Sequence, residues 1–88
     1  MTERRVAIVN PLGMHARPAA QLVRLASGFA SHIELVKEDM PVNAKSIMGV
    51  MMLAAECGSD VLVRADGPDE ADAVERIAAL ITAGFGEM

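Results

Sequence analysis

The chain has 88 residues, 52% of them hydrophobic and 23% charged, which is the composition of a folded domain and not of a disordered chain. At this length a single domain spanning residues 1–88 is expected. The lone cysteine, Cys57, excludes an internal disulfide, and a net charge of −4 without Trp or Tyr argues against general nucleic-acid binding.

Taken in chain order, Arg5–Val9 has strand composition with Val6 and Ile8 sharing a face, and Asn10-Pro11-Leu12-Gly13 ends it in a turn. From Ala16 the period becomes helical: Ala19, Leu22, Val23, Ala26 and Phe29 form one stripe, and Gly28 is a stop. Pro18 is tolerated there because it falls within the first turn. His32–Lys37 alternates as a half-buried strand, and Glu38–Pro41 turns the chain into a short strand near Val42–Ala44. Ser46 is placed to cap a Met-rich helix from Ile47 to about Leu53 or Ala55. Asp60–Asp66 is the clearest strand, with Val61, Val63 and Ala65 on one face. A last helix starts at Asp69 or Glu70, carries an apolar stripe of Val74, Ile77, Ala78 and Ile81, and stops at Gly84. The order β-α-β-β-α-β-α predicts an α+β fold, an open-faced sandwich with a mostly antiparallel four-stranded sheet and three helices on one face.

Other compositional facts narrow the function. No apolar run is long enough to span a membrane or to read as a signal peptide, and a lone thiol without an export signal points to the cytoplasm. A metal-chaperone domain needs Cys-x-x-Cys in the first loop, and residues 10–15 contain no cysteine. An RNA-recognition sheet needs aromatics on its central strands, and these strands have none. Neither a cofactor nor a metal is expected; the acidic run Asp69–Glu75 reads as a solvated helix start, Cys57 as a partly buried filler and His32 as a surface residue. Basic charge is concentrated in residues 1–48, net +2, against −6 for residues 49–88.

The chemically informative stretch is Asn10–Ala20. His15 falls at the last non-helical position, so an anion bound to it meets the free N–H groups of Ala16 and Arg17 at the positive end of the helix dipole. Arg17 adds a guanidinium suited to phosphate oxygens. Nucleophilic imidazole, anion cradle and fixed positive charge are the requirements of a phosphohistidine. The same spacing also fits an ordinary surface helix that begins with His and Arg.

Gly13-Met-His-Ala-Arg-Pro18 resembles the active-site signature of the HPr family, the histidine-containing phosphocarriers of the bacterial phosphotransferase system. Lys45-Ser-Ile-Met-Gly-Val-Met51 resembles that family's second signature, around its regulatory serine. Departures from the pattern are Met14, where Leu or Ile is usual, and Ser27, where many members have Lys.

The resemblance implies a carrier, not an enzyme. His15 receives a phosphoryl group at Nδ1 from phosphorylated enzyme I, itself charged by phosphoenolpyruvate, and passes it to an enzyme IIA domain, with Arg17 steadying the group. It also implies that Ser46 is phosphorylated by an HPr kinase/phosphorylase. The implied docking face combines Ile47, Met48 and Met51 with Arg17 and Arg24 on its basic rim, where phosphate on Ser46 weakens binding. The expected state is a monomer without nucleic-acid or membrane partners. Two alternatives stand beside the sugar-transport carrier. One is the nitrogen-related branch, NPr, whose flavour Ile81–Phe85 carries; the other is a binding-only regulator acting through phosphorylated Ser46.

Overall fold

The computed structural model describes residues 1–87. Its elements follow the expected order: β1 (Thr2–Ala7), α1 (Ala16–Ser27), β2 (His32–Lys37), β3 (Met40–Asn43), α2 (Ile47–Met52), β4 (Asp60–Asp66) and α3 (Glu70–Thr82). A short 3-10 turn, Gly84–Gly86, follows α3. The strands form one sheet in the order β1-β4-β2-β3, and every neighbouring pair is antiparallel.

The register explains which face is covered. Val6 lies opposite Val61, and Leu35 lies between Val63 and Val42, so these side chains point the same way, toward the helices. Ile33, Leu35, Val61 and Val63 are fully buried there, meeting Leu22 of α1 and Ile77 and Ile81 of α3. The opposite face carries Arg64, whose guanidinium bridges Glu34 at 2.6 Å and Glu3 at 3.8 Å. One face apolar and one face charged is the pattern of an antiparallel sheet covered on a single side. The aliphatic core contains only two aromatic rings, Phe29 and Phe85.

Three elements have limits that differ from the sequence reading. The first strand runs Thr2–Ala7 rather than Arg5–Val9, because pairing to β4 runs from Thr2–Ala65 to Ala7–Asp60 although Glu3, Arg4 and Arg5 are exposed. Glu38 and Asp39 alone make the turn between β2 and β3, both with positive φ (51° and 64°), so Met40 and Pro41 already belong to the strand. That is the two-residue hairpin geometry whose twist matches the flanking strands. The second helix ends at Met52, with Leu53 and Ala55 buried beyond it. Cys57 is also corrected: it is exposed, its Sγ 3.7 Å from the Val9 carbonyl, and does not fill the core.

Candidate functional site

The loop before α1 is docked onto the segment after α2. The Met14 N–H donates to the Ala55 carbonyl at 2.7 Å, and the Met14 side chain is buried. Gly13 is required by both conformation and space. Its φ is +67°, and a Cβ there would sit 2.6 Å from the Ala55 oxygen and 2.8 Å from the Glu56 Cα. Asn10, fully buried, closes the loop from inside: its Nδ2 donates to the Gly13 carbonyl at 2.8 Å.

This docking puts His15 at the N-cap of α1 with extended backbone (φ −87°, ψ −170°) and its side chain free of any capping bond. The first helical bond runs from the Ala19 N–H to the His15 carbonyl, 2.9 Å. Residue 18 is proline and has no N–H, so Ala16 and Arg17 present the two donors that helix geometry leaves without an intrahelical acceptor. Both residues are exposed, as is the Arg24 side of the same helix. An open depression of about 450 Å³ lies beside the site, between Pro11 and Leu12, Arg17 and Gln21, and the tail residues 85–87.

The tail is the part that sequence reasoning missed. Glu87 returns to the loop, and its carboxylate lies 3.1 Å (Oε2) and 3.3 Å (Oε1) from Nε2 of His15. Asn10 Nδ2 donates to the same Oε1 at 2.9 Å. These donors, Asn10 foremost and then His15, together with the Arg17 charge, hold the Glu87 carboxyl below the usual carboxylate range. Gly84, Phe85 and Gly86 all take positive φ (67°, 57° and 75°), which turns the chain back across the site. A phenylalanine in that region costs roughly 1–2 kcal/mol; burial of its ring, only 3% exposed, holds it there. No local motif around Glu87 signals the contact, since its partners Asn10 and His15 lie at the other end of the sequence.

Ser46 is the N-cap of α2, its Oγ accepting from the Gly49 N–H at 3.1 Å, as its place ahead of the Met-rich segment predicts. Lys45 ties this loop to the end of α1 through Nζ to the Phe29 carbonyl, 2.7 Å. Helices α1 and α2 pack against each other. On α2, Val50 is buried while Ile47, Met48 and Met51 are exposed, joined by Met52 (73%) and, from the first loop, Leu12 (76%), neither of which is among the docking candidates read from the sequence. His32 is on the surface, its Nε2 3.2 Å from Glu34. No helix of the described residues is long and apolar enough to cross a membrane.

Comparison with known proteins places this chain in a family. Residues 2–83 match the family model PTS-HPr, described as the PTS HPr component phosphorylation site. The chain is 49% identical to a phosphocarrier protein HPr of Cupriavidus necator, over 99% of this chain and 98% of that protein. It is 48% identical to one of Treponema pallidum, over 99% of both. Among solved structures, HPr-C-His from Thermoanaerobacter tengcongensis superposes with a TM-score of 0.96 at 45% identity, covering 100% of this chain and 99% of that one. An HPr dimer from the same organism superposes at 0.79 with 46% identity, covering 99% and 100%. With the fold, both sequence signatures and near-full-length relatives in agreement, the chain belongs to the HPr family of phosphocarrier proteins.

Proposed function

We propose that the chain relays a phosphoryl group through Nδ1 of His15, accepting it from phosphorylated enzyme I and delivering it to an enzyme IIA domain. The observation that carries this reading is the position of His15 at the N-cap of α1. There the helix start leaves the backbone donors of Ala16 and Arg17 next to the histidine, and the exposed Arg17 adds its charge close enough to act on the Glu87 carboxylate that touches the ring. The lone pair of Nδ1 attacks phosphorus, and the donor ring leaves with the electrons of its own N–P bond. The cradle offers N–H donors to the phosphoryl oxygens while Arg17 offsets their charge. Arg24, Ile47, Met48 and Met51 form the docking face, flexible thioethers suiting a surface that serves more than one partner.

Ser46 is the regulatory site in this reading. A phosphate on its Oγ sits at the start of α2, which the fold tolerates, and within the docking face, where its charge and desolvation weaken partner binding. The kinase is an HPr kinase/phosphorylase. The chain acts as one domain, a monomer, in the cytoplasm. The nitrogen-related branch is the second reading, favoured by the Ile81–Phe85 ending.

The test is the intact mass of the chain after incubation with enzyme I and phosphoenolpyruvate. One added phosphoryl group that acid removes, and that His15→Ala abolishes, supports the relay. A folded protein that takes up no phosphoryl group from an active enzyme I overturns it.

A further inference from the structure

We propose that Glu87 is a positioning residue for His15: it accepts the hydrogen bond of Nε2–H, holds the ring in one orientation and keeps Nδ1 as the free nucleophilic nitrogen. This rests on His15 being the phosphoryl acceptor. A carboxylate only accepts hydrogen bonds, so the ring nitrogen that faces it carries the proton. The nitrogen that faces it is Nε2, within 3.1 and 3.3 Å of the two carboxylate oxygens. The remaining nitrogen, Nδ1, then carries the lone pair.

The contact is built, not incidental to a loose end. Asn10 is fully buried and spends one amide group on two partners, the Gly13 carbonyl of the His15 loop at 2.8 Å and Glu87 at 2.9 Å. It thereby fixes the carboxylate in the frame of the loop that carries the histidine. From the other side, the buried Phe85 and its left-handed turn deliver the tail to the same point. The Glu87 side chain is only 19% exposed as a result.

The arrangement suits both directions of transfer. When Nδ1 forms its bond to phosphorus, the donor's N–P bond breaks and that pair returns to the donor ring. The His15 ring meanwhile passes from neutral to cationic with its Nε2 proton retained. The negative charge of Glu87 lies at the nitrogen where that positive charge is shared, as in other pairs where a carboxylate orients a reacting imidazole. On delivery the Nδ1–P bond breaks, its pair returns to Nδ1 and the ring is neutral again, still bonded to Glu87.

The experiment compares the full-length chain with Glu87→Ala and Glu87→Gln, since a residue beyond the last element can be changed without touching the core. Two quantities are read: the rate of phosphoryl transfer from phosphorylated enzyme I as a function of its concentration, and the nitrogen-15 NMR signal of the His15 Nε2–H. In Glu87→Ala the maximal rate is expected to fall about tenfold, the equivalent of one charge-assisted hydrogen bond. Half-saturation should stay unchanged, and the Nε2–H signal should be lost to exchange with water. Glu87→Gln, which keeps an acceptor without the charge, should fall between the two. An unchanged maximal rate, a loss confined to half-saturation, or an Nε2–H signal indifferent to residue 87 each overturns the proposal. Absence of phosphorylation in the unaltered chain overturns the relay itself, and is distinguished from these by the unaltered control.

Discussion

Replacing Gly13 by alanine separates two ways in which the His15 loop could be held. If only the turn matters, the cost is that of a left-handed alanine, about 1–2 kcal/mol, less about 0.4–1 kcal/mol gained by stiffening the unfolded chain. The structure adds a second cost. The new methyl would lie 2.6 Å from the Ala55 oxygen and 2.8 Å from the Glu56 Cα, both backbone atoms that cannot rotate away. Forcing a methyl into packed structure adds about 1–3 kcal/mol, so Gly13→Ala is expected to lose about 1–5 kcal/mol in all. Gly58 is the internal control: its φ is +93°, but no atom lies within 4 Å of the place its Cβ would take, and Gly58→Ala should carry the conformational cost alone. Urea unfolding at 25 °C measures both. A domain of this size has roughly 4–13 kcal/mol in total, so Gly13→Ala removes a large share of it, with Tm lowered by at least about 4 °C. Equal losses for the two variants, within about 0.5 kcal/mol, would refute the crowding argument and leave the loop held by its turn alone.

Ser46→Ala removes the hydroxyl that accepts from Gly49 and should cost about 1 kcal/mol by the same urea measurement. Ser46→Asp keeps a capping oxygen while adding charge, so stability should hold as transfer from enzyme I slows; an unchanged transfer rate removes the regulatory reading. Ile77→Ala, at a fully buried position, should cost about 2–5 kcal/mol, whereas Met48→Ala on the exposed face of α2 should stay within about 0.5 kcal/mol while weakening enzyme I binding. Acid stability has a specific source in Glu70, whose pKa is lowered from 4.5 to about 2, first by the Thr2 hydroxyl and then by the Met1 ammonium and the Gly67 N–H. Because the folded value lies below the unfolded one, the contribution is full above pH 4.5 and is lost as pH falls toward about 2. Glu70→Gln should flatten the acid limb of Tm against pH, and an unaltered limb counts against the assignment.

Periodicity was legible wherever one face of an element is buried. The strands β2 and β4 alternate between core and open face, and their observed limits, His32–Lys37 and Asp60–Asp66, are those read from the residues. The start of α1 was equally legible, since Pro18 and the apolar stripe leave one phase for the helix. An edge strand without such a contrast was not: Glu3, Arg4 and Arg5 are exposed on both sides, and only their pairing to β4 makes them a strand. Likewise, Met40 and Pro41 read as turn residues because the positive φ of Glu38 and Asp39 leaves no mark in ordinary turn composition. At the candidate site, His15, Arg17 and Ser46 could be named because each stands at a helix start formed by its own neighbours. Asn10 and Glu87 could not, because their hydrogen bond spans nearly the whole chain and neither sequence environment announces it.

The strand order has a consequence for how the chain reaches this state. The last strand, β4, lies between β1 and β2, and Thr2 finds its partner only in Ala65. A chain emerging from the ribosome therefore holds a first strand with no neighbour until most of the sequence has followed it. The hairpin of β2 and β3, closed by two residues, can form long before that. The sheet is closed only when β4 enters between β1 and β2, and its pairing to β1 closes the longest loop in the sheet. The His15 loop likewise docks on the Ala55 carbonyl, between α2 and β4, so its anchor too comes from the later half of the chain.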